Sequence, residues 1–429
     1  MTTIFAVSSG APPAAIAVLR ISGAEGFAAI GALAGRLPEP RRAALRALRD
    51  PLDGALLDRA LVLLFPGPDS ATGEDLAELH LHGGRATVRA VEAVLARLPG
   101  LRAAEAGEFT RRALTNGRID LSEAEGLADL LAAETEAQRR AALGSAEGAV
   151  RRQVEDWTDR TLGIAAQVEL LLDHADEEDA GDEAGALAKV RTEIAALVAD
   201  IDTLIRSPPV ERLRDGVRVI LAGPPNSGKS SLFNALVDRD AAIVSPISGT
   251  TRDRIEAPVV RDGVAWLLID TAGLADASED PIEQIGVERS RAAMVEADVI
   301  LWLGDRAAPD VPGAVVAVHA RADLTERTRV PEGRVRASAA DGDTHAVWAE
   351  LAALARDLLP RSDAVVPNER QRRLCAEASS YFASASREPD LLIMAEELRL
   401  ARVAFDAITG RAGTEAMLDA LFGRFCIGK

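Results

Sequence analysis

VRVILAGPPNSGKSSLFNALV, residues 217–237, is the stretch on which the fold turns. An apolar, β-branched run breaks at a glycine, and GPPNSGKS, Gly223 to Ser230, then fits G-x-x-x-x-G-K-S/T before helix-like SLFNALV begins. Strand, glycine-rich loop and helix in that order make a phosphate cradle. The backbone N–H groups of the loop, here Asn226, Ser227, Gly228 and on to Ser231, face the anion. The ammonium of Lys229 reaches the β and γ oxygens, and the hydroxyl of Ser230 ligates magnesium. A chance glycine-rich turn would explain neither the strand before it nor the helix after it.

Working outward, DTAG, Asp270 to Gly273 with Thr271 and Ala272 between, lies 41 residues beyond Lys229 and directly follows apolar VAWLLI. Asp270 stands where a carboxylate would hold magnesium, commonly through water. Between the two motifs comes GTTRD, Gly249 to Asp253, whose Thr251 suits a switch residue completing the magnesium shell beside the γ-phosphate. Base reading departs from the usual N-K-x-D. The apolar run AVVAVH leads into Ala320, Arg321, Ala322 and Asp323, so the aspartate that can accept the guanine N1–H and exocyclic amine is present. The asparagine is missing, and the Arg321 stem can cover the ring face as lysine would. Ser338, Ala339 and Ala340 fit the final base-contacting turn. Guanine preference with weakened affinity is expected; the alternative is a loop that no longer reads bases.

The 429 residues, 48% of them hydrophobic, are enough for more than one core, and about three domains are expected at ~150 residues each. Neither a long apolar span nor a signal-like start is present, so the cytoplasm is the expected address, with no membrane partner. Two cysteines, Cys375 and Cys426, are too few for a disulfide framework. A net charge of −18 disfavours non-specific binding to nucleic acid, so an RNA substrate would need a local basic patch or a helper. Short apolar runs with Gly/Pro breaks over the first hundred residues favour an α+β domain. From about Ile119 to Arg206 apolar residues recur at three- and four-residue spacing, as in amphipathic helices. The acidic run 173–185 reads as a solvated loop or frayed helix end, and Pro208 and Pro209 close the helical stretch. Alternating strands and helices follow to about Pro360, as in a doubly wound sheet, and the tail from Asn368 is helical again. The expected partition is 1–118, 119–210, 211–361 and 362–429, with the third segment inserted into one helical bundle.

The blocks TIFAVSSGAPPAAIAVLRISG, TGEDLAELHLHGG, GEFTRRALTNGRIDLSEAEGLADL, GTTRD, DTAGL, AEELRLARVAFDAITG and terminal FCIGK carry a resemblance over essentially the whole chain. It resembles the MnmE (TrmE) family of bacterial tRNA-modification GTPases. That resemblance implies a multidomain α/β protein: an N-terminal α+β folate-binding domain that dimerises, a discontinuous helical bundle, and an inserted P-loop GTPase domain. It implies a homodimer and a flavin-dependent MnmG/GidA-type partner. Together these add an aminomethyl-type group (carboxymethylaminomethyl) to carbon 5 of the wobble uridine of certain tRNAs. The matching folate contacts, toward 5-formyltetrahydrofolate or a related one-carbon folate, are Arg20, Glu78, Arg118 and Lys429, with Arg118 replacing a common lysine. Read alone, Glu78, His80 and His82 share one strand face and could suggest a metal. A carboxylate partner for a pterin is the better reading. Cys426 is a candidate functional thiol or a packed small hydrophobe.

The same resemblance bears on hydrolysis. Leu274 follows DTAG where Ras-like enzymes place a water-orienting glutamine, and an apolar side chain cannot do that. Glu283, in IEQIG, matches the family's catalytic glutamate; otherwise it merely solvates a mobile switch. Asn226, backbone oxygens near Ser245 and Ile247, and Thr250 match the family's potassium site, within a segment that also takes in Pro246, Ser248 and Gly249. A monovalent cation there supplies the charge of an arginine finger. Competing readings are a ribosome-assembly type switch without its own modification role, and a scaffold that no longer hydrolyses GTP.

Overall fold

The computed structural model describes residues 2–174, 183–237, 255–270, 292–361, 364–410, 421–423, 425 and 428. The chain forms two compact units, 1–128 with 406–429, and 129–405.

The first unit is built on strands β1 (Thr3–Val7), β2 (Ile16–Ser22), β3 (Ala44–Arg49), β4 (Leu56–Phe65), β5 (Leu76–His82) and β6 (Leu101–Ala103), in the order β3-β4-β5-β2-β1-β6. All neighbours are antiparallel except β1 and β6. Period-2 patterning sets the faces. Ala17, Leu19 and Ile21 of β2 and Ala77, Leu79 and Leu81 of β5 are buried in one core with Ile30 of α1 (Gly26–Ala34) and Val91 of α2 (Arg85–Leu95). The intervening Val18, Arg20, Glu78 and His80 stand on the opposite face. Helices α3 (Glu108–Thr115) and α4 (Leu121–Ala132) follow. The α+β reading therefore holds. In this unit Phe422 and Phe425 pack with Ala124, Leu114 and Ile119. At Gly428 the φ of +98° and the position against Val7 leave no space for a Cβ.

In the second unit, helix α5 (Glu136–Ala146) opens with a capping box formed by Thr135 and Gln138. Helix α6 (Ala149–His174) buries Val150, Val154, Trp157, Thr161, Ile164 and Val168, a three-and-four spacing that keeps one face inward. Helix α7 (Glu183–Arg206) does the same with Val190, Ile194, Leu197 and Ile201, and a short helix α8 (Val210–Arg214) begins just after Pro208 and Pro209.

Strands β7 (Val217–Ala222), β8 (Ile255–Arg261), β9 (Val264–Asp270), β10 (Val299–Trp302), β11 (Ala314–His319) and β12 (Val335–Arg336) form a second sheet, ordered β12-β11-β10-β7-β9-β8. It is parallel apart from β8. On one face Val219, Leu221 and Leu301 pack with helices α9 (Lys229–Val237) and α10 (His345–Leu358); on the other Ile220, Ile269 and Ile300 pack with Ala293 and Met294. Both faces are covered, as a parallel sheet requires. Helices α11 (Glu369–Ala385) and α12 (Leu391–Thr409) return to the bundle, where Phe405 stacks on Trp157 at 5.7 Å.

Candidate functional site

In an open parallel sheet the ligand crevice lies beyond the carboxyl ends of the strands. The described parts of the sequence motifs end up there. Ala222 closes β7 and the chain turns directly into the phosphate loop; Asp270 closes β9, in register with Leu221 of β7. Ala320 follows β11, and Ser338 follows β12.

The loop carries two left-handed residues near its turn, Asn226 at φ +61° and Gly228 at φ +96°. Left-handed residues in such a loop allow successive N–H groups to face one side, as in an anion-binding nest. Lys229 donates from Nζ to the carbonyls of Pro224 at 3.0 Å and Gly223 at 3.2 Å, so its charge is held at the mouth of the loop. Ser230 is the second residue of α9 and exposed, while Asp270 is 1% exposed. A hydroxyl and a buried carboxylate are oxygen donors that fit a hard cation such as magnesium.

The loop expected to read the base leans on the phosphate loop. Arg321 adopts a left-handed backbone at φ +59°, and its Nη1 donates to the Asn226 carbonyl at 3.3 Å. Its Cγ lies 3.3 Å from where a Cβ on Gly228 would stand. Ala320 and Ala322 are each 3% exposed, whereas the side chain of Asp323 reaches solvent. Ser338 Oγ lies 3.0 Å from Asp323 Oδ1 and 3.0 Å from Asp341 Oδ2, and it accepts the Asp341 N–H at 3.2 Å. One hydroxyl proton serves two carboxylates, so Ser338 joins the two turns through a single donor. Sequence reasoning passed over Asp341, whose only signal was its place directly after the S-A-A turn. It also passed over Arg327, which donates to the Ala320 carbonyl at 3.0 Å and pairs with Asp305 at 2.9 Å. Ala339 and Ala340 complete the turn.

In the first unit, Arg20 and Glu78 are register partners and meet at 2.8 Å, with His80 Nε2 at 3.3 Å from the other Glu78 oxygen. His82 instead meets Asp58 at 2.7 Å. Among the described residues no group of three or more His, Cys, Asp or Glu is placed to hold a metal ion. Arg118 lies beside the loop that leads into β5, 3.8 Å from Asp69. That loop is tied down by Arg112, a buried arginine that donates to Glu74 at 2.8 Å and to the Thr2 carbonyl at 2.7 Å, and by Asn116, which donates to the Thr72 carbonyl at 2.7 Å. Arg112 could have been suspected from its helical spacing with Phe109 and Ala113. Ser8 Oγ donates to the Gly428 carbonyl at 2.7 Å, which sets the chain end beside β1. The expected Ser245, Pro246, Ile247, Ser248, Gly249, Thr250, Thr251, Thr271, Ala272, Gly273, Glu283, Cys426 and Lys429 lie outside the described residues.

The phosphate loop, the buried Asp270 and the two linked turns expected to read the base are the arrangement of a P-loop GTPase. Comparison with known proteins places it further. Residues 3–118 match the family model described as GTP-binding protein TrmE N-terminus, and residues 121–426 match the MnmE helical domain. The chain is 55% identical over 430 residues to the tRNA modification GTPase MnmE of Erythrobacter litoralis, covering 100% of both. It is also 55% identical to that of Rhizorhabdus wittichii, covering 100% of this chain and 96% of the relative. Among solved structures, the G domain of the T. maritima FeoB iron transporter is 24% identical, over 32% of this chain and 98% of that one, with a TM-score of 0.24. The chain belongs to the MnmE family of tRNA modification GTPases.

Proposed function

We propose that the chain hydrolyses GTP in the service of tRNA modification, acting on the wobble uridine with a flavin-dependent MnmG/GidA-type partner to install a carboxymethylaminomethyl-type group at carbon 5. The observation that carries the nucleotide half is the tie between Asp323 and Ser338 at the carboxyl end of the sheet that also presents Lys229 and Asp270. Family membership carries the RNA half. Magnesium would be held by Ser230, with Thr251 and with Asp270 through water, and it neutralises charge developing on the transferred phosphoryl group. Asn226, Ser245, Ile247 and Thr250 would hold potassium, and Glu283 would orient water. Arg20, Glu78, Arg118 and Lys429 would hold a one-carbon folate, with Cys426 as a candidate thiol near it. The Arg20–Glu78 pair supports that reading, because a carboxylate and guanidinium side by side suit a pterin and an anionic tail. A homodimer through residues 1–118, a helical bundle from 119–210 with 362–429, and a nucleotide domain over 211–361 complete the proposal.

The test is the modified-nucleoside content of bulk tRNA from cells lacking this protein. Loss of the carbon-5 wobble modification, restored by the wild-type gene and not by a Lys229→Ala variant, is expected. An unchanged nucleoside profile would instead favour the reading as a switch without a modification role.

A further inference from the structure

Strand β3 is an edge of the first sheet, with β4 as its single neighbour. Around it, residues 36–49, RLPEPRRAALRALR, hold five arginines against one glutamate in a chain whose net charge is −18. Several arginines elsewhere are paired with a carboxylate: Arg139 and Arg140 both bind Glu136 at 2.7 Å, Arg160 binds Asp200 at 2.7 Å, and Arg399 binds Glu396 at 2.7 Å. At this edge they are not. Arg46 donates from Nε to the Arg36 carbonyl at 3.1 Å and from Nη1 to the Leu45 carbonyl at 3.0 Å, and Arg49 donates to the Gly54 carbonyl at 2.9 Å. Arg41 donates to the Asp69 carbonyl and lies 5.9 Å from the centre of the Phe65 ring. Only Arg42 meets a carboxylate among the described contacts, Glu39 at 2.9 Å, and both side chains are more than 70% exposed, where such a pair is worth little. Carbonyl bonds orient a guanidinium without cancelling its charge, and leave further N–H groups of the fork to bind a phosphate.

We propose that this arginine edge, centred on Arg36, Arg46 and Arg49, is where the chain receives the phosphate backbone of tRNA. The inference rests on the RNA-directed function proposed above and adds a surface to it. A strongly acidic chain repels a polyanion over most of its surface, so contact concentrates where the local sign reverses. Oriented guanidinium groups lose less freedom on binding than extended lysines would.

The experiment is tRNA binding to the full chain by fluorescence anisotropy across a salt series, with wild type, R36A/R46A/R49A and R36K/R46K/R49K. For the alanine variant we expect affinity to fall about 10- to 100-fold and the slope of log K against log salt to shrink by roughly 2 to 3, one for each lost phosphate contact. The lysine variant should keep most of the slope. An unchanged melting transition and circular-dichroism spectrum in all three show that the fold is intact, and GTP turnover should be unchanged as well. An alanine variant that binds tRNA with wild-type affinity and slope overturns the surface while leaving the RNA-directed function standing. A wild type with no salt-dependent tRNA binding overturns both. Loss of binding to phosphatidylglycerol vesicles with tRNA binding retained would reassign the edge to a membrane surface and likewise overturn the proposal.

Discussion

Ser338 shows how much rests on one hydroxyl. It lies 3.0 Å from the carboxylate expected to read guanine, and Ser338→Ala leaves Asp323 without that restraint. A net hydrogen bond is worth about 1 kcal/mol, so KM for GTP should rise roughly fivefold with little change in kcat. Equal KM values for variant and wild type would remove Ser338 from base reading. Cys375 gives a second residue-scale test. Burial pushes its thiol from an ordinary 9.0 up to about 12, because a thiolate in the bundle core would be desolvated. Between those values the unfolded chain releases this proton and the folded chain keeps it, so rising pH in that window favours unfolding. Below it the thiol is inert in the folded state. Iodoacetamide at mildly alkaline pH should therefore spare Cys375 until denaturant is added, and rapid labelling of the native protein at Cys375 would contradict its burial.

At the scale of elements, local pattern carried most of the reading. The order of strand, loop and helix over residues 217–237 is legible because each piece is set by its own neighbours: β-branched residues, a left-handed turn, then an amphipathic run. The heptad-like spacing of Val150, Val154, Trp157 and Ile164 is legible for the same reason. Contacts between distant segments leave no such trace. Arg112 reaching Glu74 and Thr2, and Arg321 lying on the phosphate loop, depend on strand order and on a left-handed backbone that periodicity does not encode. The tail is the clearest case. FCIGK is separated from β1 by most of the chain, yet Gly428 sits against Val7 and accepts from Ser8. Gly428→Ala would force a methyl group into the Val7 carbonyl at a positive φ, a strain of about 1–3 kcal/mol. Calorimetry should then show weakened binding of 5-formyltetrahydrofolate, with a lower melting temperature. Unaltered folate affinity would detach the tail from that site.

For the whole molecule, two sheets and a helical bundle share one chain. The second sheet gathers its motifs at one end because parallel strands place all their carboxyl termini together. The first sheet covers one face with helices and keeps a polar pair, Arg20 with Glu78, on the other. No helix of the described residues is long and apolar enough to cross a membrane. The activity proposed above is a GTP hydrolytic cycle with a preference for guanine, and the measurement that tests it most directly is steady-state hydrolysis of GTP and ATP by the full chain with magnesium, in potassium and in sodium. GTP should be turned over far faster than ATP, with a strong preference for potassium that Asn226→Ala abolishes and a rate that Glu283→Ala lowers while nucleotide binding persists. Equal turnover of the two nucleotides, indifferent to the monovalent cation, would contradict it.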